Sequence, residues 1–185
     1  FHLHEDSGTL SLYDSTASGY TGAAGVNVTQ GVGGKIAQAV EFDGTLNSHV
    51  TLSDGSMAAD QTWTFSAWVR ADTIQNDWDA IFHKGRDSND DWQGLWINGS
   101  NRLSLGWEGD GGGCNVDSSV RSGNQWYYVT GTYDGTNRRL YLNGALDGGP
   151  SPSGYHDTSI DEGGCVETSR PTTQGMDGTV IIVEL

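Results

Sequence analysis

Apolar and polar side chains alternate along several short segments of this chain. In segment 63–70 (Trp-Thr-Phe-Ser-Ala-Trp-Val-Arg), Trp63 and the other odd-numbered residues are apolar and share one face. Segments 103–107 and 139–143 alternate in the same way. This two-residue period is that of a β-strand with one buried face. Strand-forming composition predicts further strands at 40–42, 49–52, 126–133 and 180–183, the last buried on both faces.

Dipeptides typical of β-hairpin turns lie between these segments. No window of eleven residues has apolar residues at the spacing of an amphipathic helix. The dipeptides are Asp43-Gly44, Asp54-Gly55, Asp134-Gly135 and Asn143-Gly144. Short strands at regular spacing with glycine turns predict an all-β fold, an antiparallel sandwich of two sheets. With 185 residues and neither a linker nor an internal repeat, the chain is interpreted as one domain, 1–185.

The charge excludes two classes of partner. Asp and Glu number 24 against 9 Lys and Arg, which gives a net charge of −15. Such a chain cannot build the basic face that nucleic acids or anionic membranes require. The aliphatic run 180–183 is far too short to span a bilayer, so membrane insertion is not expected. The start at Phe1 without a signal peptide suggests a domain excised from a longer protein.

Four phrases, in this order, resemble the bacterial LamG-like (laminin G-like) branch of the concanavalin A-like lectin/glucanase jelly rolls. They are 2–15 (His-Leu-His-Glu-Asp-Ser-Gly-Thr, then Asp14-Ser15), 40–44 (Val-Glu-Phe-Asp-Gly, then Val50), 63–70, and 125–135 leading into 139–144. The resemblance implies a jelly-roll sandwich, often with structural calcium. It also implies a non-catalytic adhesion or glycan-binding module of a secreted or cell-surface protein. The chain departs from the family over 148–175 and at 178–185, where apolar residues replace an acidic pair and an Arg.

Catalysis is not expected from the carboxylates. The glucanases of this superfamily carry two carboxylates on one strand, because nucleophile and acid must face the same sugar. The chain has no such run, and among its six Glu only Glu162 and Glu167 are neighbours, on either side of Gly-Gly-Cys in a predicted loop. The sequence therefore predicts a protein that is not an enzyme, with a divergent glycoside hydrolase as the most distant alternative.

Two calcium sites are candidates. The resemblance implies one that joins the N-terminal loop near Asp14 to Asp177, with main-chain oxygen from the Asp43–Gly44 turn. In the other, Asp87, Asn89 and Asp91 occupy positions 1, 3 and 5 of an EF-hand-like loop. Because Trp92 replaces the usual glycine there, the same segment is equally interpreted as a solvated hairpin tip.

Cys114 and Cys165 lie beside glycines in predicted loops. In an exported, Asp-rich domain they favour a disulfide, which would stabilise the fold by about 4 kcal/mol in the loop-entropy model. The alternative is two unpaired thiols.

Aromatic side chains in Asp/Asn/Gly-rich stretches can stack on sugar rings. Trp78 and Trp92 are the preferred ligand contacts, and Asp110 is expected to accept hydrogen bonds from sugar hydroxyls. Trp96 and Trp107 are instead expected in the core. The sequence thus predicts a non-catalytic extracellular module, stabilised by calcium, that contacts glycans or neighbouring proteins. A dedicated carbohydrate-binding lectin is the alternative.

Overall fold

The computed structural model describes residues 12–13, 21–45, 48–52, 62–71, 79–86, 91–108, 115–152 and 180–182. The regular structure of these residues is entirely β. The strands are β1 (Leu12–Tyr13), β2 (Thr21–Ala24), β3 (Val28–Gly33), β4 (Gln38–Phe42), β5 (Val50–Leu52), β6 (Trp63–Ala71), β7 (Asp79–Arg86), β8 (Asp91–Ile97), β9 (Arg102–Glu108), β10 (Val116–Val120), β11 (Tyr127–Tyr133), β12 (Asn137–Leu142), β13 (Ala145–Pro152) and β14 (Val180–Ile182). No helix capable of crossing a membrane occurs in these ranges.

The strands form three antiparallel sheets. The largest has the order β13-β12-β11-β6-β14-β4-β3, a second has the order β10-β9-β8-β7, and a small third sheet has the order β1-β2-β5. β14 pairs with both β6 and β4, so residues 180–182 lie inside the seven-stranded sheet. This confirms the all-β sandwich class.

The core lies between the seven-stranded and four-stranded sheets. β6 contributes alternate buried residues, as its sequence predicts, and Phe65 stacks on Phe82 with ring centroids 4.7 Å apart. Burial of these apolar faces is the main stabilising term of such a sandwich. The buried cluster consists of Val40, Phe42, Phe65, Ala67, Val69, Ala71, Ile81, Leu95, Ile97, Leu103, Leu105, Val116, Val129 and Leu140.

One long edge of the sandwich is closed by β10 and β13. The Asp147 carboxylate accepts hydrogen bonds from the backbone N–H of Ser119 at 2.7 Å and from its hydroxyl. A Cβ added to Gly148 would lie 2.6 Å from the carbonyl oxygen of Asp117. The glycine therefore allows the two sheets to meet at this edge.

The predicted hairpin turns at Asp134-Gly135 and Asn143-Gly144 are confirmed, since they separate the paired strands β11 and β12 and the paired strands β12 and β13. The prediction at Asp43-Gly44 is wrong, because this turn follows β4 of the seven-stranded sheet and the next strand, β5, belongs to the small sheet. Asn143 and Gly144 both have positive φ, 50° and 83°, which is the geometry of a two-residue hairpin. Gly44 and Gly135 also have positive φ, 77° and 89°. The Asp54-Gly55 turn lies outside the described residues. Seven of the described strands were not predicted from the sequence: β1, β2, β3, β7, β8, β10 and β13. In β7 the alternation is interrupted by an irregularity between Ala80 and Phe82.

An arginine occupies the inward face of β12 beside the leucines. Arg138 is 2% exposed, and its guanidinium carbon lies 6.0 Å from the centroid of the Tyr133 ring. Burial lowers the pKa of Arg138 from its ordinary value, since the charged form loses hydration. The alternation of Leu140 and Leu142 against Tyr141 was predicted, but the buried cation was not.

Candidate functional site

The outward face of the seven-stranded sheet carries a group of aromatic rings. Trp68 and Arg70 alternate with the core residues of β6 and so lie on this face. Tyr128 is the direct partner of Trp68 in the neighbouring strand β11. By the same register, Trp126 lies opposite Arg70. Strand pairing thus brings together residues almost 60 positions apart in sequence.

The rings pack against one another and against a small apolar patch. The centroids of Trp68 and Tyr128 are 5.3 Å apart with their planes tilted by 44°. Trp68, Trp126 and Val32 pack on Ala39, which is fully buried. All three rings remain half-buried. They therefore form a fixed platform that solvent still reaches.

Two cations lie over these rings. Lys35 Nζ is 5.4 Å from the centroid of Trp68, and Arg70 Cζ is 5.2 Å from that of Trp126. Contacts of this kind are electrostatically attractive, because the face of an indole is negative. We call Lys35, Trp68, Arg70, Trp126 and Tyr128 the cation–aromatic surface.

The β3–β4 turn holds Lys35 over its ring. The N–H of Gly34 donates to the carbonyl of Ala37 at 3.0 Å, which closes the turn. Ala37 has a φ of 73°, a left-handed conformation that costs about 1–2 kcal/mol for a residue with a Cβ. Ile36 is 53% exposed at the tip. This short, closed turn fixes the backbone from which Lys35 extends.

Most of the site residues predicted from the sequence lie outside the described residues. These are Asp14, Trp78, Asp87, Asn89, Asp110, Cys114, Cys165 and Asp177. Asp91 and Trp92 are the first residues of β8, where they pair with Arg86 and Glu108 in the four-stranded sheet. Arg86 and Asp91 are paired across β7 and β8, and residues 87–90 of the candidate calcium loop lie outside the described residues. Neither Asp91 nor Trp92 belongs to the sheet of the cation–aromatic surface.

The Asp43–Gly44 turn lies within the described residues, and hydrogen bonds link its polar groups to neighbouring residues. Asp43 Oδ1 accepts hydrogen bonds from the N–H of Thr45 at 2.9 Å and from its hydroxyl at 2.6 Å. Ser48 Oγ accepts from the Asp43 N–H and donates to the carbonyl of Asn27. The bonds from Thr45 hold the pKa of the exposed Asp43 carboxyl below its usual value.

This turn does not by itself make a calcium site. Calcium takes six to eight oxygen ligands, whereas one Asp43 oxygen already accepts two bonds from Thr45. Among the described residues, no three His, Cys, Asp or Glu side chains lie close enough together to hold a metal ion. A calcium ion at this turn would depend on Asp14 and Asp177.

The core prediction for Trp96 is confirmed by its burial, 5% exposed. Its ring lies against Gly94, where an added Cβ would approach ring carbons to 2.8 Å. The side chain of Trp107 is outside the described part.

Sequence reasoning missed the cation–aromatic surface, although the alternation in 63–70 already placed Trp68 and Arg70 opposite the core. Trp126 and Tyr128 were interpreted only as strand formers. The available signal was their spacing of two residues, which puts both rings on one face. Their pairing with β6 rather than with another strand depends on the sheet order.

The matches to known proteins agree with this architecture. A family model, Laminin_G_3, described as concanavalin A-like lectin/glucanases superfamily, matches residues 43–165. Since this is more than half of the chain, the protein belongs to that laminin G family of the concanavalin A-like lectin/glucanases superfamily. No match is found among curated proteins.

Solved structures with similar folds include domains of toxins and of an arabinanase. The binding domain of Paraclostridial Mosquitocidal Protein 1 has a TM-score of 0.65 and 17% identity, over 100% of this chain and 46% of that one. Domain 4 of AbnA, a GH43 extracellular arabinanase from Geobacillus stearothermophilus, in complex with arabinotriose, has a TM-score of 0.59 and 22% identity, over 94% and 86%. The binding domain of botulinum neurotoxin serotype G has a TM-score of 0.52 and 17% identity, over 93% and 41%. The chain thus spans less than half of each toxin domain.

Proposed function

We propose that this domain is a non-catalytic extracellular module that binds glycans through the cation–aromatic surface. The observation that carries the proposal is the group of three half-buried rings on one sheet face, held by strand pairing. Sugar rings present C–H groups that stack on such faces, while nearby polar groups fix their orientation. A fixed platform binds with little loss of side-chain freedom.

The similar structures support a binding role by analogy only. Two are described as binding domains and a third as domain 4 of an arabinanase with arabinotriose bound. Fold likeness alone does not transfer a ligand, so the proposal depends on the geometry of the rings. A neighbouring protein as the partner is the competing outcome of the test below.

The extracellular setting, the calcium ion and a Cys114–Cys165 disulfide belong to the same proposal. The disulfide is checked by the intact mass before and after reduction and alkylation. If the same number of thiols is alkylated before and after reduction, the disulfide is absent and this part of the proposal is wrong.

The proposal is tested by a broad glycan array, followed by calorimetry on the best ligand. Trp68→Ala and Tyr128→Ala are expected to weaken that affinity by about 3- to 10-fold each, the usual range for an aromatic contact. Trp68→Phe keeps a ring and should recover part of the loss if Trp68→Ala also perturbs packing on Ala39.

Val26→Ala serves as the control, because Val26 is 59% exposed in the turn at the other end of β3. A blank array at millimolar ligand, or equal affinities for wild type and all ring variants, would reject glycan binding at this surface. Turnover of any polysaccharide by the purified domain would reject its non-catalytic role.

A further inference from the structure

Six cations have side chains that the structure describes, and they divide into two groups by what they contact. Arg102 donates to the carbonyl of Ser118, and Arg121 donates to Ser118 Oγ and to the carbonyl of Ser119. Arg139 forms an ion pair with Asp134. Arg138 is buried in the core over Tyr133. These four are committed to groups of their own chain.

The other two of these six cations, Lys35 and Arg70, both belong to the cation–aromatic surface. Each lies over a ring, and neither forms an ion pair with a carboxylate in the described ranges. Arg70 Nε is shielded from solvent and has no hydrogen-bond partner there. In a chain with 24 acidic and 9 basic residues, two cations on one surface that pair with none of the described carboxylates are unexpected.

The acid nearest in register is Glu41. It pairs with Ile181 of β14, which in turn pairs with Arg70. The backbones of Glu41 and Arg70 are therefore two strand spacings apart, a distance of about 10 Å. Among the described carboxylates, Glu41 therefore lies on the rim of the surface, and none forms an ion pair with Lys35 or Arg70.

The position of the cations bears on which sugars fit. A neutral sugar that stacks on Trp68 or Trp126 competes with Lys35 or Arg70 for the ring face and leaves the displaced cation without its contact. An acidic sugar retains both interactions, because its carboxylate accepts hydrogen bonds from the cation while its ring lies on the aromatic side chains. The same carboxylate would be repelled by most of the remaining surface of a −15 chain.

We infer that the cation–aromatic surface selects carboxylate-bearing glycans, and specifically oligosaccharides of uronic acids. The inference rests on the proposed function and adds the class of ligand. Lys35 and Arg70 are the residues that determine this specificity, and the rings provide the platform.

The test measures binding by calorimetry to oligomers of galacturonate, glucuronate and mannuronate, to their methyl esters, and to neutral oligomers of equal length. At least one acidic oligomer should bind, its methyl ester should bind about fivefold more weakly, and raising NaCl from about 50 mM to about 0.5 M should weaken the acidic form. Arg70→Gln and Lys35→Gln should each lower its affinity by about 3- to 10-fold and abolish most of the preference over the ester.

Arg139→Gln is the matched control, since Arg139 lies on the same outward face but is already paired with Asp134. Lys35 is exposed, so its variant should keep the wild-type melting temperature even if Arg70→Gln perturbs packing. Equal loss in Arg139→Gln and Arg70→Gln, tighter binding of a sulfated oligomer, or no binding of any uronate would overturn the inference. Ring-dependent binding of neutral sugars alone would overturn it while sustaining glycan binding, whereas no glycan binding at all overturns both.

Discussion

At the scale of single residues, polar side chains in the turns do more than end the strands. Asp134 Oδ1 accepts hydrogen bonds from the N–H groups of Thr136 and Asn137, and Oδ2 accepts from Arg139. The Arg139 bond, followed by the two backbone bonds, lowers the pKa of Asp134 from 3.8 to about 2. This carboxylate thus fixes the Asp-Gly turn between β11 and β12 and is ionised when it does so.

Asp134→Asn isolates the charge, because the amide oxygen can still accept from Thr136 and Asn137. The folded-state pKa lies below the ordinary value, so the ionised form favours folding. That contribution is present above about pH 4 and is lost as the pH falls towards 2. Urea unfolding should therefore show the largest stability difference between wild type and variant near pH 5, and a smaller one near pH 2. A difference that stays constant across this range would contradict the assignment.

At the scale of elements, glycines set how closely the two sheets approach. A Cβ on Gly131 of β11 would lie 2.8 Å from Leu105 Cδ1 of β9, which belongs to the facing sheet. The contact is with the end of a flexible side chain, whereas the corresponding contact at Gly148 is with backbone. Leu105 can therefore adjust to a change at position 131, but only partly in a close-packed core.

Gly131→Ala is expected to destabilise the domain by about 1–3 kcal/mol through overpacking. Combined with Leu105→Val, it should cost less than the sum of the single variants, since the shorter side chain makes room. Gly33→Ala is the control, because an added Cβ there meets nothing within 4 Å. Chemical denaturation of the wild type, the two single variants and the double variant gives the coupling energy between positions 105 and 131. Strict additivity would mean that the sheets are not in contact at this point.

At the scale of the whole molecule, calcium is expected to connect the N-terminal loop to the end of the chain through Asp14, Asp177 and the Asp43–Gly44 turn. A ligand at 100 times its Kd stabilises the folded state by about 2.7 kcal/mol. Excess EDTA should then lower the melting temperature by about 5–10 °C in a domain of this size.

Asp177→Ala should melt at the same temperature with and without EDTA, whereas Asp87→Ala should keep the response to EDTA. The reverse result would place the ion in the loop that follows β7. A wild-type melt that is insensitive to EDTA would exclude a tight structural ion.

The alternation in 63–70 and the Asp-Gly and Asn-Gly dipeptides were sufficient to predict the sandwich, because strand periodicity and turn conformation are local properties of the chain. Trp63 packs against the core, and the residues on its side of β6 are buried as predicted. The resemblance to the laminin G family is likewise carried by local strand and turn residues, and the family match over residues 43–165, which includes 63–70 and 125–144, confirms the family.

The cation–aromatic surface could not be predicted in this way. Its residues come from the β3–β4 turn, from β6, from β11 and from Trp126 directly before β11. Only pairing between strands distant in sequence brings them together. Sequence reasoning therefore favoured Trp78 and Trp92, whose polar surroundings are visible locally. Which tryptophans share a face depends on the order of strands in the sheet. That order is decided in the folded molecule, where the inner faces of the two sheets are buried against each other.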